Sequence, residues 1–490
     1  MYHMSSHKCS TVWLYAVLLY AIVTVMSMKR DIDTHASASS SSAPKSLRLD
    51  KLVQHMVTKA GLVAILQTLH DQGLLEKRYT IKQVRKEVTG HAQVQTPFGK
   101  VIQTFRIGGV DQVFEAINPG ALLWYLCKIS VPFAELIQET VVTAGDAGLT
   151  YVLYQDGVVP GNPFRPDKAR KVEAWYWIFV QFPDFVLQRS ACWPVATLIR
   201  SKLISKIPGG ISRVSRILLD MFRPMIDGIS LPVGGTHVVL KADFGGFLAD
   251  LLAHKEIMCS KGVANAIHPC WNCANLAMRL NGNYKPEERT LACSDMDQFL
   301  SFSDDVMFEM IDRLHAAPAG KVKALETACV FNTAPEGILR DITLRGIYSP
   351  INHHLRDWMH TLVGDGVANT ETGLLLHALK AQSISLNMVQ EFFDRCTLPR
   401  MHGKVNSEWL KDSRLKEHTL SSFAATMLSI VPIVSLFLDF YNVKSLCPLE
   451  VESYELLHLM VSLLRLSPSK VITHITKLKR LQDARGLRQL

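Results

Sequence analysis

The run TYVLYQDGV, residues Thr150 to Val158, decides how the rest of the chain is interpreted. It is rich in β-branched and aromatic residues, which favour a strand, and it closes on an acid followed by glycine. Two more strands are predicted after it, at Glu173–Phe182 and Ser190–Leu198. A helical stretch broken at Pro208-Gly209-Gly210 follows, and the run His237–Asp243 predicts a short buried strand.

An amphipathic helix is predicted in GFLADLLAHKEI, which completes the order β-β-β-α-β-α. That is the element order of the ribonuclease H-like fold, in which the first and fourth strands are neighbours. The acids that end these strands are Asp156 and Asp243. We therefore expect both carboxylates at one edge of the sheet, where α/β proteins place their ligands and chemistry.

Paired carboxylates of this kind predict two-metal phosphoryl transfer, in which two Mg²⁺ or Mn²⁺ ions activate water or a 3′-hydroxyl and stabilise the leaving oxygen. Mg²⁺ prefers carboxylate oxygens and keeps several waters, so two or three converging acids suffice. Asp156 also has a plain structural interpretation, because aspartate before glycine is a common turn residue, and Asp243 allows the same two interpretations. Glu371 begins an apolar helical run and is the candidate third acid, with Asp365 and Asp250 as weaker candidates.

The chain has ten cysteines, and only Cys270 and Cys273, in IHPCWNCANL, have metal-ligand spacing. A Cys-x-x-Cys pair supplies two of the four tetrahedral ligands of a structural zinc site. Candidates for the remaining ligands are Cys259, His268 and His360. His360 lies three residues after Asp357, in a D-x-x-H motif. The alternative is that the two cysteines are small buried hydrophobic residues. His353 and His354 are interpreted as surface or core polar residues.

The motifs YQDGVVPGNPFRPDKARK, VVLKADFGGFLAD, KGVANAIHPCWNC and LRDWMH together resemble a group of protist proteins that is abundant in dinoflagellate genomes. More distantly they resemble the cut-and-paste DNA transposases of the CACTA and Kyakuja–Dileera–Zisupton superfamilies. The resemblance covers roughly residues 47–443. It implies the following roles: catalytic metal-binding acids at Asp156, Asp243 and Glu371, and a zinc site with ligands at Cys270, Cys273 and His360.

Two departures from the family accompany this resemblance. No zinc-finger DNA-binding domain is recognisable before the core, and the protist relatives run on beyond the last residue of this chain. Together with the apolar run Thr11–Met28, they favour a decayed or truncated mobile-element protein or an imperfect gene model, in which retained acids would not prove activity.

The charge balance favours anionic partners such as nucleic acid, since the formal net charge is +9. Much of the excess lies at the C-terminus, where clustered cations can bind phosphates. The candidate DNA-binding residues there are Lys470, Lys477, Lys479 and Arg480. A solvated helix end is the alternative interpretation.

An uncharged apolar run, Thr11–Met28, stands apart from the rest of the chain. It is long enough for a signal anchor or a short transmembrane helix, or it is a leader unrelated to the folded body. The predicted division is a hydrophobic leader and Ser-rich linker at 1–46, a mainly helical region at 47–145, the core at 146–380 and a helical basic region at 381–490.

The predicted fold class is α/β, a ribonuclease H-like mixed sheet core with a zinc-containing insertion between helical N- and C-terminal regions. The predicted function is a transposase-like, divalent-metal-dependent DNA nuclease or strand transferase, nuclear or intracellular and able to form homo-oligomers. Mg²⁺ or Mn²⁺ would be catalytic and Zn²⁺ structural. Two alternatives stay open: a non-enzymatic descendant that binds nucleic acid or protein, and a membrane-anchored protein.

Overall fold

The chain divides into two compact units, Met1–Leu355 and Arg356–Leu490. The computed structural model describes residues 94–106, 113–159, 170–261, 271–272, 274–275, 277–279, 289–291, 293, 295, 298–334, 336–364, 366–397, 405–416 and 419–464.

The strands up to the boundary between the units are β1 (Gln95–Thr96), β2 (Gly99–Lys100), β3 (Ile102–Arg106), β4 (Val113–Ile117), β5 (Leu149–Val158), β6 (Val172–Phe179), β7 (Val195–Arg200), β8 (Ile229–Val233), β9 (Thr236–Leu240), β10 (Ala242–Ala249), β11 (Ala277–Arg279), β12 (Arg289–Leu291) and β13 (His354–Arg356). The helices of the first unit are α1 (Pro119–Ile129), α2 (Val131–Ala144), α3 (Asp184–Leu187), α4 (Ser201–Ile204), α5 (Gly210–Phe222), α6 (Pro224–Asp227), α7 (Leu251–Met258), α8 (Asp304–Ala316) and α9 (Ala319–Cys329). The second unit contains helices α10 (Val367–Ala381), α11 (Leu386–Arg395), α12 (Ala424–Phe440) and α13 (Pro448–Leu464), with a hairpin of β14 (Leu415–Lys416) and β15 (Thr419–Leu420).

A mixed sheet of seven strands forms the centre of the first unit, in the order β13-β10-β5-β6-β7-β4-β3. Strands β5, β6 and β7 are antiparallel in succession, whereas β10 runs parallel to β5. The prediction of an α/β protein with a mixed sheet is confirmed. Strands β3 and β4 extend this sheet, so the described part of residues 47–145 contributes strands as well as helices α1 and α2.

Aromatic side chains on one face of the sheet pack against α5. The ring of Tyr151 stacks on Phe222 with centroids 4.4 Å apart, and Trp177 meets the same phenylalanine edge-on at 5.1 Å. Trp175 donates from Nε1 to Ser215 Oγ over 3.3 Å. These large residues are almost completely buried, and each contributes about 2 kcal/mol or more of hydrophobic stabilisation.

Several predicted elements have close counterparts. The first two predicted strands are β5 and β6, and the third is β7, which begins at Val195 because Ser190–Cys192 forms a 3₁₀ turn. The helical stretch interrupted at Pro208-Gly209-Gly210 is confirmed, since α4 ends before the break and α5 starts at its last glycine.

The prediction for the fourth strand is wrong. The β-branched run after His237 forms β9, which pairs with β8 in a hairpin, and the strand parallel to β5 is β10, which begins at Ala242. Gly245 and Gly246 favour the end of a strand in the sequence, but they lie inside β10, where the chain forms a bulge between Phe244 and Gly246. Gly246 has φ of +142°, and a Cβ there would lie 3.1 Å from the carbonyl oxygen of His353.

Candidate functional site

Asp156 lies near the carboxyl end of β5, and the register with β10 shows which acid lies next to it. Tyr154 is paired with Leu248, the last partner pair of the parallel ladder. Asp156 lies two residues beyond Tyr154, and Asp250 lies two residues beyond Leu248, so a continued register would set the two acids side by side on strands about 5 Å apart. Asp250 directly follows β10, and its backbone is still extended, with φ −71° and ψ 169°. Because paired residues on parallel strands point to the same face, a continued register would also place the two carboxylates on one side of the sheet.

Asp243 is at the other end of the same strand, so the predicted meeting of Asp156 and Asp243 is wrong. Asp243 pairs with Thr150, and its side chain is exposed. Asp156 stands six residues further along β5, which amounts to about 20 Å of strand. Two carboxylates this far apart cannot share metal ions separated by about 4 Å.

The carboxylate of Asp156 contacts the aromatic residues of its own face. The hydroxyl of Tyr154 donates to Asp156 Oδ2 over 3.2 Å, and the ring of Tyr154 stacks on Tyr176 with centroids 6.1 Å apart. Burial, and after it the charge of Asp156, raise the pKa of Tyr176 above the usual value for tyrosine. The Tyr176 hydroxyl therefore stays protonated and neutral at physiological pH.

Asp250 also has a structural task, because it is the N-cap of α7. Its Oδ1 accepts from the backbone N–H of Ala253 over 2.7 Å. A capping aspartate satisfies one of the free N–H groups of the first turn and is stabilised by the helix dipole. The hydrogen bond fixes the direction of the carboxylate at the edge of the sheet.

A second acid close to this edge, Glu173, is held on the opposite face. It is buried, and it accepts from Gln155 Nε2 over 3.1 Å and from Ser201 Oγ over 2.7 Å. Lys171 Nζ lies 3.1 Å from the same carboxylate. Because Gln155 and Asp156 alternate across β5, this group is separated from Asp156 by the sheet itself.

Glu371, the predicted third acid, belongs to the second unit. It lies near the start of α10 and accepts a hydrogen bond from Ser453 Oγ on α13 over 2.9 Å. Asp365 lies outside the described residues. The convergence of Glu371 with the acids of the first unit stays a prediction.

Of the predicted zinc ligands, Cys270, Cys273 and His268 lie outside the described residues. His360 belongs to the second unit and is exposed, and its Nδ1 lies 2.7 Å from Asp357 Oδ2, which confirms that the D-x-x-H spacing brings the two together. Cys259 ends α7, where burial is the main cause that raises the pKa of its thiol.

Two histidines that no sequence motif connects lie in contact in the first unit. His254, completely buried on α7, faces His354 of β13 with their Nδ1 atoms 2.7 Å apart. His254 Nε2 lies 3.0 Å from the carbonyl oxygen of Leu355, and His354 Nε2 lies 2.5 Å from the hydroxyl of Tyr348. No local motif joins residues separated by a hundred positions, so only the fold could reveal the pair.

Trp271, the residue between the two cysteines of the Cys-x-x-Cys motif and next to the first, packs against both imidazoles. Its ring centroid is 5.8 Å from that of His354 and 6.3 Å from that of His254, and its side chain is buried. The described part of the predicted zinc motif therefore contacts the histidine pair.

Among the residues that the structure describes, no group of three or more His, Cys, Asp or Glu side chains is arranged to hold a metal ion. Within those same residues, no helix is both long enough and apolar enough to cross a membrane. Two sets of predicted residues lie outside them: the apolar run Thr11–Met28 and the basic cluster Lys470, Lys477, Lys479 and Arg480.

No protein-family model matches this chain, and no curated protein matches it significantly.

Proposed function

We propose that this protein is a transposase-like, divalent-metal-dependent DNA nuclease or strand transferase, with Asp156 and Asp250 as its metal-binding acids. The observation that carries the proposal is the register of β5 and β10, which brings these two acids to the carboxyl ends of adjacent parallel strands. Asp250 takes the role that the family resemblance had placed on Asp243.

The strand order supports a ribonuclease H-like core. That fold has three successive antiparallel strands and a fourth that runs parallel to the first, on the side away from the second. Strands β5, β6, β7 and β10 have this arrangement, with Asp156 near the end of the first and Asp250 directly after the fourth.

The donor set of Asp156 and Asp250 fits Mg²⁺ or Mn²⁺ in kind, because both ions prefer carboxylate oxygens and Mg²⁺ keeps several waters. Such an ion, when bound, activates water or a 3′-hydroxyl and stabilises the leaving oxygen. The protein holds the acids in place through two hydrogen bonds, from Tyr154 to Asp156 and from Ala253 to Asp250. Glu371 remains the proposed third acid.

Exposed cations at the same edge of the sheet support a phosphate-rich substrate. Arg200 ends β7 and pairs with Val172, which in turn pairs with Val158 of β5, so it lies about 10 Å from the end of β5. Lys202 and Lys206 follow it and are exposed. Cations in such positions attract DNA and fix its backbone without reading its sequence.

A nicking assay on supercoiled plasmid in Mn²⁺ tests the proposal. Asp156→Asn and Asp250→Asn should each lower the rate about 100-fold or more, since each removes a charge that holds the ion. Asp243→Asn is the matched control and should stay within a few-fold of the unmodified protein. An unmodified protein that is inactive with both Mn²⁺ and Mg²⁺ would remove the enzyme proposal, and loss of activity in Asp243→Asn alone would restore the original pair.

The second candidate is a non-enzymatic descendant of the same scaffold that binds nucleic acid. It is favoured by the cap role of Asp250 and by the lack of a third acid at this edge among the described residues. On this alternative, DNA binding persists in Asp156→Asn and Asp250→Asn, and no preparation cleaves DNA. Nuclear location and membrane anchoring are both tested by the distribution of tagged chains with and without residues 1–30.

A further inference from the structure

We propose that Arg213 and Arg216 of α5 form a binding site for a phosphate group, and that the carboxylate of Glu336 occupies this site when no phosphate is bound. Binding at this place requires neither a metal ion nor cleavage of DNA, so the site is independent of the proposed nuclease activity. The ligand chemistry is that of a phosphate group, either in the backbone of DNA or as a free anion.

The guanidinium of Arg213 is mostly buried and poorly paired. Its side chain is 12% exposed, and within the described residues its buried Nε has no hydrogen-bond partner. Its Nη2 lies 3.7 Å from Glu336 Oε2, which is too long for a hydrogen bond. A buried charge is stabilised only when it is paired and hydrogen-bonded, so this guanidinium retains its capacity for an anionic ligand.

Arg216 lies one helical turn further along α5, on the same face, and approaches the same carboxylate oxygen. Its Nη2 donates to Glu336 Oε2 over 3.4 Å, and its Nη1 lies 3.9 Å from Asp341 Oδ2. The Nε of Arg216 is also buried, and in the described part of the chain it has no partner. Two neighbouring guanidinium groups therefore share one carboxylate oxygen. A phosphate group offers more acceptor oxygens, in a geometry that suits the planar donors of arginine.

A second ion pair in the same unit shows how a tightly held carboxylate differs. Arg345 Nη2 donates to Asp312 Oδ1 over 2.6 Å, and this hydrogen bond is the main cause that holds the pKa of Asp312 below its usual value. The side chain of Glu336 is 42% exposed, and its contacts with the two arginines are 3.4 and 3.7 Å long. Glu336 is therefore held loosely enough for another anion to replace it.

The backbone that carries Glu336 is fixed against the start of α5. Ser212 Oγ accepts from the backbone N–H of Ile338 over 2.9 Å. Glu336 packs so closely on Gly209 that a Cβ on this glycine would lie 3.4 Å from Glu336 Cβ. Because the backbone is held in this way, only the exposed side chain of Glu336 has to turn towards solvent for a phosphate to reach the arginines.

The start of α5 places this site beside other cations. The helix follows β7 and α4 at the edge where β7 ends, and the exposed Lys202 and Lys206 precede it. DNA carries a phosphate at every nucleotide, so neighbouring cations can hold successive phosphates without contacting the bases. This continuity favours the DNA backbone as the source of the phosphate.

Fluorescence anisotropy of a short labelled DNA duplex, with the full-length protein in EDTA, tests the site without cleavage. Arg213→Gln and Arg216→Gln should each weaken the affinity about 3-fold to 10-fold and lower its salt slope by about 1. Glu336→Gln should strengthen the affinity about 3-fold or more, because it removes the carboxylate that competes for the arginines. Arg313→Gln and Glu309→Gln, which break an exposed ion pair of α8, are the matched controls and should stay within about 2-fold.

Titration calorimetry with inorganic phosphate on the same proteins distinguishes the two sources. DNA affinity that falls in the arginine variants, without measurable binding of inorganic phosphate, would identify the DNA backbone as the ligand. Binding of inorganic phosphate that Arg213→Gln abolishes, with unchanged DNA affinity, would identify a free anion. Both results support the site, and Glu336→Gln should strengthen binding of whichever ligand is found.

The proposal is overturned if the unmodified protein binds neither probe, or if both arginine variants bind both probes as tightly as it does. It is also overturned if Glu336→Gln lowers stability and strengthens neither affinity, since that is the result expected of a purely structural ion pair. Circular dichroism shows whether each variant is folded. Should an arginine variant fail to fold, the direction of the effect of Glu336→Gln still decides. Plasmid nicking in Mn²⁺ on the same preparations reports separately on the nuclease proposal.

Discussion

Leu248 pairs with Tyr154 across the parallel strands β5 and β10, and this single register decides which acid can act with Asp156. Two residues beyond the pair lie Asp156, still within β5, and Asp250, directly after β10. The acid that the motif resemblance singles out, Asp243, has already been passed at the start of β10. The choice between Asp243 and Asp250 as the second acid therefore depends on where β10 begins and ends.

Asp250 is expected to have two separable roles. Asp250→Ala removes the cap of α7 and should lower the free energy of unfolding by about 1 kcal/mol, whereas Asp250→Asn keeps a capping side chain and should change it little. Both changes should abolish Mn²⁺-dependent nicking. Urea unfolding and the plasmid assay on the same samples measure the two effects. Full activity in Asp250→Asn would show that only the cap matters.

Gly246 is expected to be intolerant of a side chain. Gly246→Ala places a Cβ 2.9 Å from Leu355 Cγ at a φ of +142°, and should destabilise the protein by about 1–3 kcal/mol. Gly320→Ala is the control, since a Cβ in α9 at that position meets nothing within 4 Å, and it should be neutral or stabilising by up to about 1 kcal/mol. Equal midpoints in urea for the two variants would contradict the bulge geometry.

Glu371 is tested by separating its charge from its hydrogen bond. If it is the third acid, Glu371→Gln should reduce nicking about 100-fold or more. Ser453→Ala removes only the hydroxyl that donates to this carboxylate, so it should cost about 1 kcal/mol of stability or less and leave the rate within a few-fold. A Glu371→Gln protein that cleaves at the normal rate would exclude Glu371 as a catalytic acid.

Tyr348 is expected to matter through its hydroxyl. Tyr348→Phe keeps the ring that packs against Phe247 but removes the hydroxyl partner of His354 Nε2, and should lower the free energy of unfolding by about 1–3 kcal/mol. Tyr151→Phe is a matched control, because within the described part of the chain its buried hydroxyl has no hydrogen-bond partner. That change should be neutral or stabilising. Urea unfolding of both variants measures the two effects, and equal midpoints would contradict the role of the Tyr348 hydroxyl.

The C-terminal cations are expected to set the salt dependence of DNA binding. Replacing Lys470, Lys477, Lys479 and Arg480 by glutamine should lower the slope of log affinity against log salt by about 3 to 4, if all four contact phosphates of duplex DNA. The exposed residues Lys321 and Lys323 of α9 offer a control pair. An unchanged slope in the fourfold variant would support the solvated helix end.

Local patterning predicted the antiparallel part of the sheet well. The runs that became β5 and β6 carry bulky β-branched and aromatic residues that are buried on both faces, so strand propensity and tertiary packing agree there. The break before α5 was also predictable, because Pro208 and the two glycines after it cannot continue a helix.

The fourth strand could not be predicted, because propensity and packing disagree there. Val238 and Val239 favour a strand and do form one, but in a hairpin outside the main sheet. The true neighbour of β5 contains Gly245 and Gly246, which local rules assign to a turn. The sequence does carry one usable signal, since Asp250 stands directly before an amphipathic helical run, as an N-cap does.

The bulge in β10 also absorbs one residue of the sequence. Asp243 and Leu248 are five residues apart, whereas their partners Thr150 and Tyr154 are four apart, and the extra residue at Gly245 accounts for the difference. Deleting Gly245 would therefore keep the later pairs in register, whereas deleting a residue after Gly246 would move Asp250 by one position along the pleat, to the face that packs against α5. For related chains, the spacing from the second glycine to Asp250 is therefore a stricter criterion than the presence of the acids: a copy that retains every carboxylate but has lost one residue between 246 and 250 should lack nuclease activity.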